Sequence, residues 1–69
     1  MEDWEKVKSS NIEAVKYEDG DLFVKFKTGA VYKYRGVSRS MVEELVAAPS
    51  AGKFFAEFIK NDYSYERIK

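Results

Sequence analysis

Between residues 14 and 35 the chain sorts its side chains by parity, and the sorting holds through three separate runs. Val15 and Tyr17, then Leu22, Val24 and Phe26, then Tyr32 and Tyr34 are all apolar or aromatic. The alternate positions are Ala14 and Lys16, then Phe23, Lys25 and Lys27, then Val31, Lys33 and Arg35, and five of these eight are cationic. Successive side chains of a β-strand point to opposite faces, so a period of two shared by three runs predicts a sheet with one apolar and one basic face. The breaks between runs are turn-like: "EDGD" contains Asp19-Gly20, and "KTGA" contains Gly29, which is free to take a positive φ. Strands over about 12–17, 22–27 and 30–35, joined by so few residues, predict an antiparallel meander. Ile12 departs from the pattern. Parity puts it on the basic side, so it lies either ahead of the regular strand or beyond a bulge.

After residue 37 the period changes. "SRSMVEELVAA" sets Met41, Val42, Leu45, Val46 and Ala48 near one helical stripe. Ser38 is placed to cap this helix, with Val37 and Val42 in the hydrophobic-staple positions, while Ser40 with Glu43 offers a competing capping box. Pro49 ends it, and Ser50 caps a second helix, "AGKFFAEFIKND", with the stripe Phe54, Phe55, Phe58 and Ile59. The tail "YSYERIK" alternates Tyr63 and Tyr65, as a fourth, edge strand or a segment wrapped on the helices would. Two amphipathic helices need an apolar partner layer. The expected fold is therefore α+β: a meander of three strands, four if the tail joins, with both helices on the face that carries Tyr32 and Tyr34. The basic face is left outward.

Sixty-nine residues make a single domain, with 45% hydrophobic residues, too many for a disordered chain. There is no cysteine, so no disulfide framework and no thiolate metal site, which favours the cytoplasm. No apolar run approaches the ~20 residues of a membrane span, and the charged opening "MEDWEKVKSS" is unlike a secretion signal. Histidine is absent too, and no two carboxylates fall together in an expected cleft, so catalysis and a bound cofactor or metal are not expected. "EDGD" lacks the spacing of a calcium loop. "PSAGKFF" lacks the glycines and Lys-Ser/Thr of a phosphate loop. It reads as a helix cap, with Gly52 permitting close approach of another element.

Twelve basic residues balance twelve acidic ones, so what matters is where the charges lie. Lys16, Lys25, Lys27, Lys33 and Arg35 clustered on one sheet face would attract phosphates, and Phe23 among them could stack on a splayed base. The plainer alternative is a merely solvated face, since lysines on strands also deter unwanted edge pairing.

The ordered set Tyr32-Lys33-Tyr34, "SAGKFF" at 50–55 and "YSYERI" at 63–68 resembles the KTSC domain, a family named for its occurrence at the C-terminus of some lysyl-tRNA synthetases and found also as a small stand-alone protein in bacteria and phages. The likeness runs from about Val7 to Ile68. Ser38 stands where proline is expected, Lys16 where glycine is frequent and Ala56 where asparagine is frequent. The resemblance implies the same α+β fold and a domain of unknown function, with RNA binding suggested by the synthetase association. The leading expectation is a non-catalytic RNA-binding accessory module that uses Lys16, Phe23, Lys25, Lys27, Lys33 and Arg35. The alternative is a protein-interaction module, a homodimer or a bacterial or phage adaptor, working through the tail edge or the helix surface near Phe54 and Phe58.

Overall fold

The computed structural model describes residues 4–69; the first three residues of the charged opening stretch lie outside it. Five strands and two helices follow one another as β1 (Glu5–Lys6), β2 (Ile12–Glu18), β3 (Asp21–Phe26), β4 (Val31–Tyr34), α1 (Arg39–Ala47), α2 (Ala51–Phe58) and β5 (Tyr65–Arg67). The strands form one sheet in sequence order, each antiparallel to its neighbours. The three-strand meander is present, the tail does join it as β5, and a further two-residue strand, β1, borders its other side. No helix among the described residues is long and apolar enough to cross a membrane.

Both helices pack on the apolar face. Leu22, Val24 and Val15 are sealed there with Leu45 of α1 and with Ala51 and Phe55 of α2. Ile12 belongs to the same core and is fully buried. It escapes the parity rule because the ladder steps from Ile12↔Phe26 to Ala14↔Lys25, leaving Glu13 as an extra residue on β2. The extra residue is a bulge, and it turns Ile12 back toward the helices while Glu13 stays exposed. The β2–β3 turn places both Asp19 and Gly20 at positive φ, 53° and 81°.

Ser38 caps α1, its hydroxyl accepting from the Met41 N–H at 3.2 Å. Val37 and Val42 are both buried in the core, as a staple requires. The competing box at Ser40 and Glu43 is not used: Ser40 already lies inside the helix. Ser38→Ala should therefore cost about 1 kcal/mol, read as a melting temperature lower by roughly 4–8 °C for a domain of this size. An unchanged melting point would mean that Ser40 can take over the cap.

Ser50 caps α2 in the same way, through Lys53 N–H at 3.4 Å. This helix is shorter than its sequence pattern. Ile59 and Lys60 both donate to the Phe55 carbonyl, at 3.0 and 2.8 Å, which closes the helix and leaves turns over 59–62. Its buried stripe is Ala51, Phe55 and Ile59, whereas Phe54 and Phe58 lie on the flank with rings 4.8 Å apart and Phe58 exposed. At the start of α2 a Cβ on Gly52 would stand 2.9 Å from Ser9 Oγ and 3.0 Å from Asn11 Oδ1. The missing side chain lets the 9–11 segment lie against the helix, where the Ala51 N–H donates to the Lys8 carbonyl at 2.8 Å.

Candidate nucleic-acid interface

All five strands contribute to the face of the sheet turned away from the helices. Register puts Lys6 opposite Ala14, Lys16 opposite Phe23, Lys25 opposite both Ala14 and Val31, and Phe23 opposite Lys33. Lysines from adjacent strands thus alternate with rings. Lys16 Nζ lies 5.1 Å from the Phe23 ring centre and 5.1 Å from that of Trp4. Lys25 Nζ is 5.5 Å from the Trp4 ring, and Lys33 Nζ 5.8 Å from the Phe23 ring. An ammonium near an aromatic face is attracted by the ring quadrupole, so the two rings hold three like charges close together.

The sequence-derived set divides on this geometry. Lys16, Phe23, Lys25 and Lys33 converge. Lys27 stands one residue past β3, in the turn, and is exposed. Arg35 stands one residue past β4, also exposed, and is ion-paired and hydrogen-bonded to Glu66. The lysines are less solvated than a free sheet face would leave them: the Lys16 and Lys33 side chains are only 22% and 25% exposed. Their methylene stems lie along the aromatic cluster while the charged ends reach outward. Ala14 and Val31, on the same face, are buried.

Carboxylates temper the charge. Lys16 Nζ is 3.9 Å from Glu18, and Lys33 Nζ is 3.6 Å from Asp21. β5 adds Glu66 directly opposite Lys33. The eight outward positions between 14 and 35 include no acid because Glu66 arrives from the far end of the chain, while Glu18 and Asp21, paired across the ends of β2 and β3, stand just beyond the alternating runs. Trp4 is the functional candidate missed in the sequence. It lies before a two-residue strand, too short to show alternation; the one available signal was its matching parity with Lys6. With Phe23, Lys25, Val31 and Ile68 it borders a shallow hollow of about 350 Å³. Among the described residues no group of three or more histidine, cysteine or acidic side chains is placed to hold a metal ion.

The family model for the KTSC domain matches residues 8–63. The chain belongs to the KTSC domain family. A crystal structure of a KTSC domain protein from Yersinia pestis superposes on it with a TM-score of 0.86 at 30% identity, covering 96% of either chain. The KTSC domain is also 38% identical over 65 residues to the lysine–tRNA ligase of Nostoc sp. (strain PCC 7120 / SAG 25.82 / UTEX 2576), a match taking in 91% of this chain and 12% of the ligase. A 35% identity over 65 residues relates it to an uncharacterized protein of Stutzerimonas stutzeri (strain A1501), covering 90% of this chain and 92% of that protein. The chain therefore spans about an eighth of the ligases it matches and nearly the whole of a short protein. Trp4 and β5 fall outside the residues matched by the family model.

Proposed function

We propose that this KTSC domain is a non-catalytic, cytoplasmic RNA-binding module that works through the outer face of its sheet. The observation that carries this reading is the interleaving of Trp4 and Phe23 with the ammonium groups of Lys16, Lys25 and Lys33. Single-stranded nucleic acid rewards that pairing of platforms and charge: bases stack on the rings and phosphates meet the lysines. The lysine–tRNA ligases among the relatives support it, because by name they act on tRNA. Lys16, Lys25 and Lys33 would contact phosphates, Trp4 and Phe23 bases, and Lys27 and Arg35 the ends of a longer strand.

The test is binding of labelled single-stranded RNA as salt is varied. Three or four phosphate contacts give a slope of log affinity against log salt of roughly −2 to −3. Neutralising Lys25 and Lys33 together (Lys25→Gln, Lys33→Gln) should flatten that slope by about 1.4. Glutamine is preferable to glutamate because a new carboxylate at 33 would face Asp21. Trp4 is the single tryptophan, so its fluorescence should change on binding. Equal RNA affinity in the double variant would remove this face from consideration. Absence of binding by the unaltered domain at low salt would favour the second reading, a protein-interaction module using exposed Phe58 and the outer edge of β5.

A further inference from the structure

On the opposite side of the sheet, a cleft of about 420 Å³ opens between β4 and α2, within the range of small-ligand sites. Its aromatic wall is Tyr32, Tyr34 and Tyr65. Tyr65 is 58% exposed yet held in orientation, stacked on Tyr34 at 5.5 Å and tilted against Tyr32 at 5.8 Å. Its ring therefore offers a fixed flat surface to the cleft, where a mobile exposed tyrosine would not.

The floor is more informative. Tyr34 is 4% exposed, but its hydroxyl has no hydrogen-bond partner among the described residues and is not sealed from solvent. A buried phenol without a protein partner is costly unless something else meets it. Tyr34 lines the cleft, so a molecule filling it lies beside this residue. Burial, and then the neighbouring Tyr65 and Tyr32, raise its pKa above the ordinary value near 10, so it is a donor at neutral pH.

The rim is polar and carries no acid among the described residues. Asn11 has its Oδ1 occupied by the Ser9 hydroxyl at 2.8 Å, which leaves its amide N–H groups to donate. Gly52 keeps this segment against the helix, since a side chain there would strike both Ser9 and Asn11. Asn61 supplies a second carboxamide, and Lys60 is the only cation lining the cleft among the described residues. Flat rings, carboxamides that can pair with base edges and one ammonium group suit a planar heterocycle that carries an anion.

We propose that this cleft binds a single nucleotide, its base against Tyr65 and within reach of the Tyr34 hydroxyl and the two carboxamides, its phosphate at Lys60. The nucleotide comes either as a free nucleoside monophosphate or as one unpaired residue of an RNA strand. The site does not depend on the outer face, from which it is separated by the sheet.

The experiment is a nuclear magnetic resonance titration of the 15N-labelled protein with AMP, GMP, CMP and UMP at millimolar concentration, and separately with short single-stranded RNA. Saturable shifts at Asn11, Gly52, Lys60 and Tyr65 with a mononucleotide would establish the free ligand. The same shifts with RNA alone would establish the strand as its source. Tyr65→Ala should weaken binding at least about fivefold, as loss of a stacking platform does. Tyr34→Phe removes one hydroxyl and leaves the ring, so it should keep the melting temperature while weakening binding about 3–10-fold. If neither mononucleotides nor RNA move the cleft resonances, or if Tyr34→Phe and Tyr65→Ala both bind as the unaltered protein does, the proposal is overturned. That result would leave the outer face untouched, because RNA binding there is read by the salt slope and by Trp4.

Discussion

Replacing Phe55 with alanine should cost about 3–5 kcal/mol, enough to leave a domain with about 5 kcal/mol of total stability largely unfolded. Phe55 is 5% exposed and meets two rings edge-on, Tyr34 at 5.2 Å and Phe26 at 5.9 Å. Its removal leaves a cavity at the point where α2 touches both β3 and β4. Small domains bury a modest share of their surface, so few other contacts compensate. Leu45→Ala, at the fully buried centre of α1, should cost about 2–5 kcal/mol. Phe58→Ala is the control. It lies on the flank of α2 against Phe54 and is substantially exposed, so its cost should stay near 0.5 kcal/mol or below. Urea unfolding of the three variants checks this. Equal stability for Phe55→Ala and the unaltered protein would mean that α2 presents a different face to the sheet.

That contrast marks what was legible in the sequence. The sheet faces were legible because parity is a local property and three strands repeated it. The buried side of α1 was legible for the same reason, at period 3.6. The stripe of α2 was blurred because four large apolar residues, Phe54, Phe55, Phe58 and Ile59, crowd six consecutive positions, and periodicity alone cannot say which pair faces inward. The sheet resolves it: Ala51, Phe55 and Ile59 are buried in the core, whereas Phe54 packs against it only in part and Phe58 is exposed. Ile12 stands out in the sequence as an exception to parity. The bulge that explains it is fixed by pairing with β3, which no local pattern encodes.

The chemistry of the outer face was harder to read for a related reason. The lysines were evident, but their environment comes from both ends of the chain. β1 brings Trp4 over Lys16 and Lys25, while β5 brings Glu66 opposite Lys33 and into contact with Arg35, 31 residues away. Two- and three-residue strands carry too few positions to declare a period, and their place beside β2 and β4 is a long-range fact. The same β5 positions Tyr65 over Tyr34. One short edge strand therefore adjusts the charge of one face and completes the aromatic wall on the other.

The two tyrosines of β4 provide the second large effect. Tyr34→Ala should cost about 3 kcal/mol or more, as other buried aromatic truncations do. Its ring is buried between Phe55 and Tyr65. Tyr32→Ala should cost less, about 1.5–3 kcal/mol, because that ring is only half-buried, against Phe26 and Tyr65. Lys33 sits between them in sequence but on the other face, and its pair with Asp21 at 3.6 Å lies near the surface. Such pairs contribute about 0–1 kcal/mol, so Lys33→Ala should melt close to the unaltered protein. Tyr34→Phe should do likewise near neutral pH, because the lost hydroxyl has no hydrogen-bond partner among the described residues. Alkali separates the last two proteins. The Tyr34 phenol has a raised pKa in the folded state, so as pH climbs past about 10 the unfolded chain ionises first. The stability this group contributes is present below that pH and is lost as pH rises through the folded value. Tyr34→Phe has nothing to ionise at this position and should lose stability less steeply above pH 10. Melting curves across that range decide it: a stable Tyr34→Ala beside an unfolded Lys33→Ala would put the core on the other face of the sheet, and parallel alkaline profiles for Tyr34→Phe and the unaltered protein would show that the phenol is open to bulk water.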